Sequence, residues 1–385
     1  MSDAVLLKNA NLYVPESLGP GSVLVEGDTI AAVYQIGEAL PGGVPAIDLG
    51  GAALGPGLID VHTHGADGAD VMDGSNAVLR MARFFARHGV TGFVPATVTA
   101  PFEAIAEAAA GVRAAMGTAH GGARVLGVHV EGPFISRERL GAQSPDHVVP
   151  PVTSAVARML EIAGDVTRIV TLAPEEVGAM EAIYSLVLEG IVVSLGHTVA
   201  TEAQAQAAFD AGATQVTHMF NGMPPFHHRE PGVVGAALMA RGVRVEIVAD
   251  GVHLAPTTVR LALAAKGVDG ILLVTDSMAA TGCPDGEYEL GPMKVIVRDG
   301  EARLPSGALA GSTLTMERAV VNVARWTDAG LGGAWQMASL NPARQLGLGQ
   351  FGRLAPGYQA DLVAIDSAGQ VVLTVIGGEL AYRRS

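Results

Sequence analysis

The chain has 385 residues, of which 49% are hydrophobic and 16% charged, enough to bury a large core and a smaller one. With 38 acidic against 24 basic side chains and a net charge of −14, it is poorly suited to nucleic acid or an anionic membrane surface. A single cysteine, Cys283, excludes an intrachain disulfide, no apolar run reaches the roughly 18 residues of a membrane span, and nothing reads as a signal peptide, so a reducing, cytoplasmic setting is expected.

In chain order, residues 3–53 hold short runs broken by Gly and Pro (AVLLKNANLYV, GSVLVEGDTIAAVYQ, AIDLGGAALGPG) that read as strands and turns. Eight apolar, β-branched runs follow: LIDV (58–61), GFVPAT (92–97), RVLGVHVE (124–131), RIVTLA (168–173), IVVSLG (191–196), TQVTH (214–218), VEIVAD (245–250) and ILLVTD (271–276). They are apolar nearly throughout, as strands buried on both faces are. Ala-rich stretches of helical length separate them, among them 75–89, 101–117 and 201–212, the last with a start at Thr201–Glu202 and a stop at Gly212. Residues 286–305 read as a hairpin inserted after the eighth run, and 352–384 return to strands and turns. The expected fold is α/β: a (β/α)8 TIM-type barrel over residues 54–349, with a small β-sandwich domain built from both termini, residues 1–53 and 350–385.

The polar residues fall where the apolar runs stop. His62 and His64 close the first run, Glu131 the third, His197 the fifth, His218 the sixth and Asp276 the eighth; Asp250 closes the seventh, with His253 three residues on. In a barrel these positions share the C-terminal face, where barrel enzymes hold their active sites. Core packing does not explain four histidines and two carboxylates at one mouth, because an unpartnered buried polar group costs several kcal/mol by rough estimate. Imidazole and carboxylate suit zinc or iron(II), and a catalytic site keeps one position open for water. Such a metal polarises a carbonyl and brings the pKa of water to about 7. Asp276 is the candidate to take the water's proton and deliver it to a leaving amine, or it is a further ligand; the two roles are compatible. His88, His120 and His147 read as structural, and His129, on the face of Glu131, as either support for the site or core.

The motifs GPGLIDVHTHG, HVEGPF, LGHT, THMFNGMPPFHHREPG, ADGVHL and VTDSMAATG occur in the order and spacing of the N-acetylglucosamine-6-phosphate deacetylases, of the amidohydrolase superfamily, and GRLAPGYQADLV resembles that superfamily's C-terminal return strand. The resemblance covers nearly the whole chain. It implies that Glu131, His197 and His218 bind the principal metal and that His62 and His64 supply a second site, so one or two divalent ions, zinc or iron(II), per chain. It further implies Asp276 as general base and then acid, and His253 against the sugar or the acetyl carbonyl. Asn221 and Gly222, through their backbone amides, and Arg229 would hold the 6-phosphate of an amino-sugar phosphate, and a homodimer would place the Arg229 loop near its interface. The chain departs from the family after EGPF: it reads RLGAQSPDH, with Gln143 where the family often has a histidine. Gln143 remains a candidate substrate contact that can hydrogen-bond without carrying charge.

Three rivals bear on this reading. Cyclic amidases of the dihydroorotase or hydantoinase kind bridge two metals with a carbamylated lysine after the fourth strand; here the lysines are Lys8, Lys266 and Lys294, and that strand ends in TLAPEE. A deacetylase for the galactosamine epimer fits the same motifs. A metal-binding scaffold without catalysis would have no use for Asp276.

Overall fold

In the computed structural model, which describes residues 4–13, 17–116 and 121–384, all eight apolar runs form strands. They are β1 (Leu58–Thr63), β2 (Val90–Pro95), β3 (Val128–Glu131), β4 (Thr167–Leu172), β5 (Val192–Leu195), β6 (Gln215–Val216), β7 (Arg244–Val248) and β8 (Ile271–Val274). Every neighbouring pair from β3 to β8 is parallel, as are β1 and β2. Isolated parallel bridges join the remaining edges, Ala96 to His129 between β2 and β3 and Thr63 to Ser277 between β1 and β8. The eight strands thus make one curled parallel sheet. The third run is broken in two: Gly127 adopts φ 141°, and Arg124–Val125 pairs with β2 while β3 starts afresh at Val128.

Helices cover the outside of the sheet. Ser75–Arg87 buries Val78, Met81, Ala82 and Phe85, the i, i+3, i+4, i+7 stripe of a helix lying on a core. Phe102–Met116 and Glu202–Asp210 occupy the two other expected stretches. Thr201 caps the latter by accepting from Gln204 N–H, with the Gln204 side chain answering back, a reciprocal cap whose loss costs about 1 kcal/mol.

The two ends of the chain share an eight-stranded sheet. Leu362–Ile365 pairs antiparallel with Ala53–Pro56, which pairs in turn with Ala4–Tyr13. This sheet has its own core of Leu7, Leu12, Val23, Ile30, Leu54, Leu362 and Leu373, separate from the larger core around the parallel sheet. The fully buried Trp335 ties the two together. Its indole N–H donates to Pro56 O at 2.7 Å, its ring stacks on Tyr13, and it lies so close to Gly55 that a Cβ there would sit 2.6 Å from it.

The insertion differs from the expected hairpin. Gly286–Leu290, Met293–Arg298 and Glu301–Arg303 form a three-stranded antiparallel meander. Asp299 and Gly300, both at positive φ, make the tight turn that adds the third strand.

Candidate active site

The strand ends deliver the expected residues to one place. His62, His64, Glu131, His197, His218 and Asp276 are each at most 6% exposed. His62, on β1, and His64, one residue past its end, sit two residues apart and so share a face. His197, His218 and Asp276 lie two residues past β5, β6 and β8 and all have positive φ, 48°, 26° and 49°. Non-glycine residues rarely adopt that conformation and cluster at functional sites when they do. Here it marks the three places where a strand ends and its next side chain meets the others.

The proton arrangement of the imidazoles is set from outside. Nδ1 of His62 donates to Glu246 at 2.8 Å, that of His64 to Ala96 O at 2.8 Å, that of His197 to Arg139 O at 2.7 Å and that of His218 to Asn221 O at 3.1 Å. In the neutral state that metal binding requires, each ring then presents a bare Nε2 inward. The Nε2 atoms of His197 and His218 face one another at 3.0 Å, and both lie within 3.3 Å of Glu131 Oε1. Nε2 of His64 is 3.4 Å from Glu131 Oε2 and 3.3 Å from Asp276 Oδ1, and Nε2 of His62 is 3.5 and 3.6 Å from the same two carboxylates. His62 Nε2 and Glu131 Oε1 are buried without a hydrogen-bond partner.

Lone pairs facing lone pairs and carboxylates repel unless a cation lies among them. Among the described residues three groups have ligand-atom spacing for one: Glu131 with His197 and His218, His62 and His64 with Asp276, and His62 with His129 and Glu246. The donor set fits a divalent metal of the zinc or iron kind. The electrostatics agree. Burial would lower the pKa of His62, but Glu246, Glu131 and Asp276 outweigh it and raise it well above the usual value. Burial would raise Glu131 and Asp276, and the facing imidazoles hold both well below the usual carboxylate range.

His64, Glu131, His197, His218 and Asp276 line a cavity of about 250 Å³ together with Gln143, Asn221, Gly222, His253 and an apolar wall that includes Leu290 and Leu309, and His62 lies buried behind them. Asp250 fixes His253, accepting its backbone N–H and its Nδ1–H, each at 2.7 Å. This leaves His253 Nε2 3.9 Å from Asp276 Oδ2. Gln143 is clamped. Its Oε1 accepts Thr99 N–H at 2.6 Å, so its Nε2 donates to Glu131 Oε2 at 2.7 Å. It therefore steadies Glu131 at the cavity wall. Gly222, at φ 62°, lies against His197 and His218; a Cβ there would be 3.2 Å from His197 Nδ1 and 3.4 Å from His218 Cε1. The Asn221 backbone N–H already donates to His218 O at 2.9 Å.

Arg229 is not brought in. It is exposed, beside His228 at 2.8 Å, and no Lys or Arg among the described residues lines the cavity. His88 pairs with Glu317 at 2.8 Å, His147 lies in a short turn away from the cavity lining, and His120 lies outside the described residues. His129 is fully buried, bonds Thr171 Oγ1 at 2.7 Å and packs its ring edge on His62. Burial and the neighbouring His62 push its pKa down to about 3.

Two further buried carboxylates, Asp60 and Glu246, bond directly to the histidine segments, and no strand end in the sequence marks them. Asp60 accepts from Thr275 Oγ1 at 2.5 Å and from the backbone N–H of His62 at 3.3 Å, tying β1 to the end of β8. Burial pushes it up to about 7. Glu246, inside β7, holds His62, the His218 backbone and Gln215. Each is a lone acid within an otherwise apolar run, which was the available signal.

Known proteins resemble this chain throughout. Residues 53–381 match the amidohydrolase family. Over 88% of its length the chain is 42% identical to N-acetylglucosamine-6-phosphate deacetylase of Vibrio furnissii, of which it covers 85%. Over 85% of its length it is 41% identical to N-acetylgalactosamine-6-phosphate deacetylase of Escherichia coli, of which it covers 87%. A mutant N-acetyl-D-glucosamine-6-phosphate deacetylase from Mycobacterium smegmatis, solved in complex with N-acetyl-D-glucosamine-6-phosphate, is 37% identical. It superposes with a TM-score of 0.90, covering 98% of this chain and 99% of that one.

Proposed function

The chain belongs to the amidohydrolase family, and we propose that it hydrolyses the N-acetyl group of N-acetylglucosamine 6-phosphate, releasing acetate and glucosamine 6-phosphate. One observation carries the reading: four bare imidazole nitrogens and two carboxylates converge at the floor of a cavity, with the Asp276 carboxylate on its wall. The mycobacterial structure with the glucosamine substrate favours that epimer over galactosamine. The galactosamine 6-phosphate analogue, or another metal-dependent amide, is the alternative substrate.

The curled sheet is read as a (β/α)8 barrel, since bridges join its outer strands. Its proposed extent is residues 54–349, with a small β-sandwich domain from 1–53 and 350–385, which the separate terminal core supports. Glu131, His197 and His218 would hold one zinc or iron(II) ion, and His62, His64 and Asp276 a second. A divalent cation there supplies Lewis acidity, polarising the acetyl carbonyl and acidifying water.

The chain's own groups do the rest. Asp276, ionised beside the imidazoles, takes a proton from the attacking water as the new C–O bond forms. It returns that proton to the amine nitrogen as the C–N bond breaks. His253, backed by Asp250, which with Asp276 raises its pKa against the effect of burial, donates toward the acetyl carbonyl or a sugar hydroxyl. Gln143 keeps Glu131 in place through its amide N–H. The 6-phosphate would lie near Gly222 and needs a cation that the cavity lining does not offer among the described residues. The exposed Arg229 meets that need if a homodimer places its loop beside the phosphate, and the net charge of −14 makes a local cation necessary. A bidentate guanidinium suits phosphate. With no helix long and apolar enough to cross a membrane among the described residues and one free cysteine, the proposed setting is the cytoplasm.

A panel of N-acetylated hexosamines, with and without the 6-phosphate, tests the assignment on metal-replete protein. Acetate release from N-acetylglucosamine 6-phosphate should exceed that from the other members. Preference for the galactosamine epimer would move the assignment to the alternative, and indifference to the phosphate would remove the sugar phosphate.

A further inference from the structure

We propose that Glu246 is the positioning residue shared by both halves of the ion site, and that its charge sets how tightly the His62–His64 half takes a divalent cation. The proposal rests on the metal reading above. Glu246 is fully buried in β7. Its Oε2 accepts the Nδ1–H of His62 at 2.8 Å and the backbone N–H of His218 at 2.9 Å, while its Oε1 accepts the Gln215 side-chain amide at 2.6 Å. One carboxylate therefore touches a ligand ring of the His62–His64 half and the backbone of a ligand in the Glu131–His197–His218 half. Holding the proton on His62 Nδ1 keeps the Nε2 lone pair aimed inward, and a carboxylate behind an imidazole makes it a stronger donor.

His62, His129 and Glu246 also have ligand spacing among themselves. That triple is support and not a third ion site: the His62 nitrogen that faces Glu246 carries the proton of their 2.8 Å hydrogen bond, which leaves the buried, unpartnered Nδ1 of His129 as the one imidazole donor.

Charge points the same way. Glu246 bonds a histidine, a backbone amide and a glutamine, with no lysine or arginine among them. Glu131, Asp276 and Glu246 place three carboxylates around the site. One dication leaves a buried negative charge, which is unfavourable in a low dielectric. Glu246 belongs to neither ligand group that the metal reading uses, so it is the carboxylate whose charge draws a second cation rather than binding it.

Glu246→Gln separates charge from shape. Gln215 Oε1 is buried without a hydrogen-bond partner, so the Gln215 amide can turn over and accept from the new amide, keeping the network closed. The test is zinc titration of metal-stripped protein against a chromophoric chelator, with thermal melts of the stripped proteins alongside. Wild type should take two ions per chain. Glu246→Gln should bind the weaker ion 10- to 100-fold less tightly, the usual scale for removing such support, with an unchanged or higher metal-free Tm. It should have no further effect on zinc binding in a His62→Ala background, where that half-site is already lost. Glu246→Asp, which keeps the charge, should retain the weaker ion within about tenfold. Wild-type affinities in Glu246→Gln, equal losses at both ions with a lowered metal-free Tm, or a wild type that takes one ion would each overturn the proposal. A wild type that takes none would overturn the metal reading itself.

Discussion

Replacing Asp276 by asparagine keeps the shape of the side chain and removes its charge and proton affinity. In the wild type, Oδ1 lies 3.3 Å from His64 Nε2 and 3.6 Å from His62 Nε2, and Oδ2 lies 3.9 Å from His253 Nε2. No neighbouring carboxylate can take over. Glu131 is held by Gln143 on one oxygen and faced by imidazoles on the other, and both Asp250 oxygens are committed to His253. The full acid–base contribution should therefore be lost, about 10²- to 10⁴-fold in kcat, or roughly 3–5 kcal/mol of barrier. KM should change little, because the cavity keeps its outline. The assay is acetate release at saturating substrate, with bound metal measured on the same samples. Turnover within tenfold of wild type at equal metal content would refute Asp276 as the proton carrier.

Three further outcomes follow from named contacts. Arg229→Ala should raise KM for the phosphorylated sugar about 10- to 150-fold, the equivalent of roughly 1.5–3 kcal/mol for a charge-assisted contact, and leave the unphosphorylated sugar unaffected; equal effects on both would make Arg229 structural. Gly222→Ala forces an alanine to φ 62° and sets its methyl 3.2 Å from His197 Nδ1. This should cost about 1–2 kcal/mol of stability and weaken metal retention on dialysis, whereas wild-type metal content would show that the loop yields freely. Burial pushes Asp70 up from an ordinary 3.8 to about 6. Its contribution to stability is thus full below about pH 3.8 and lost as pH rises through 6, up to about 3 kcal/mol. Asp70→Asn keeps an oxygen for the Met72 N–H, so it should raise the metal-free Tm at pH 8 with the gain vanishing near pH 4; a gain independent of pH would contradict this.

The strand ends were legible because an apolar run that stops at a histidine or an acid marks both a secondary-structure boundary and a chemical group. His62, His64, Glu131, His197, His218 and Asp276 all carried that signal, and they come together. Glu246 and Asp60 did not, because an acid inside an apolar run has no boundary to mark which side of the sheet it faces. The clamp on Gln143 depends on Thr99, 44 residues away, a pairing that neither period nor spacing reveals. The third strand of the insertion was hidden by its length of three residues, too short for alternation to register. Arg229 was legible as a cation but not as one that stays outside its own chain's cavity, since loop direction is set by tertiary packing.

If this cavity breaks an amide bond by metal-assisted hydrolysis of a phosphorylated amino sugar, its turnover depends on the ion that the histidines and carboxylates would hold. The direct measurement is acetate released from N-acetylglucosamine 6-phosphate by metal-stripped protein before and after zinc or iron(II) is returned. Release should be negligible without metal and full on its return, with one glucosamine 6-phosphate formed per acetate. Turnover unaffected by stripping, or none with metal restored, would contradict that dependence.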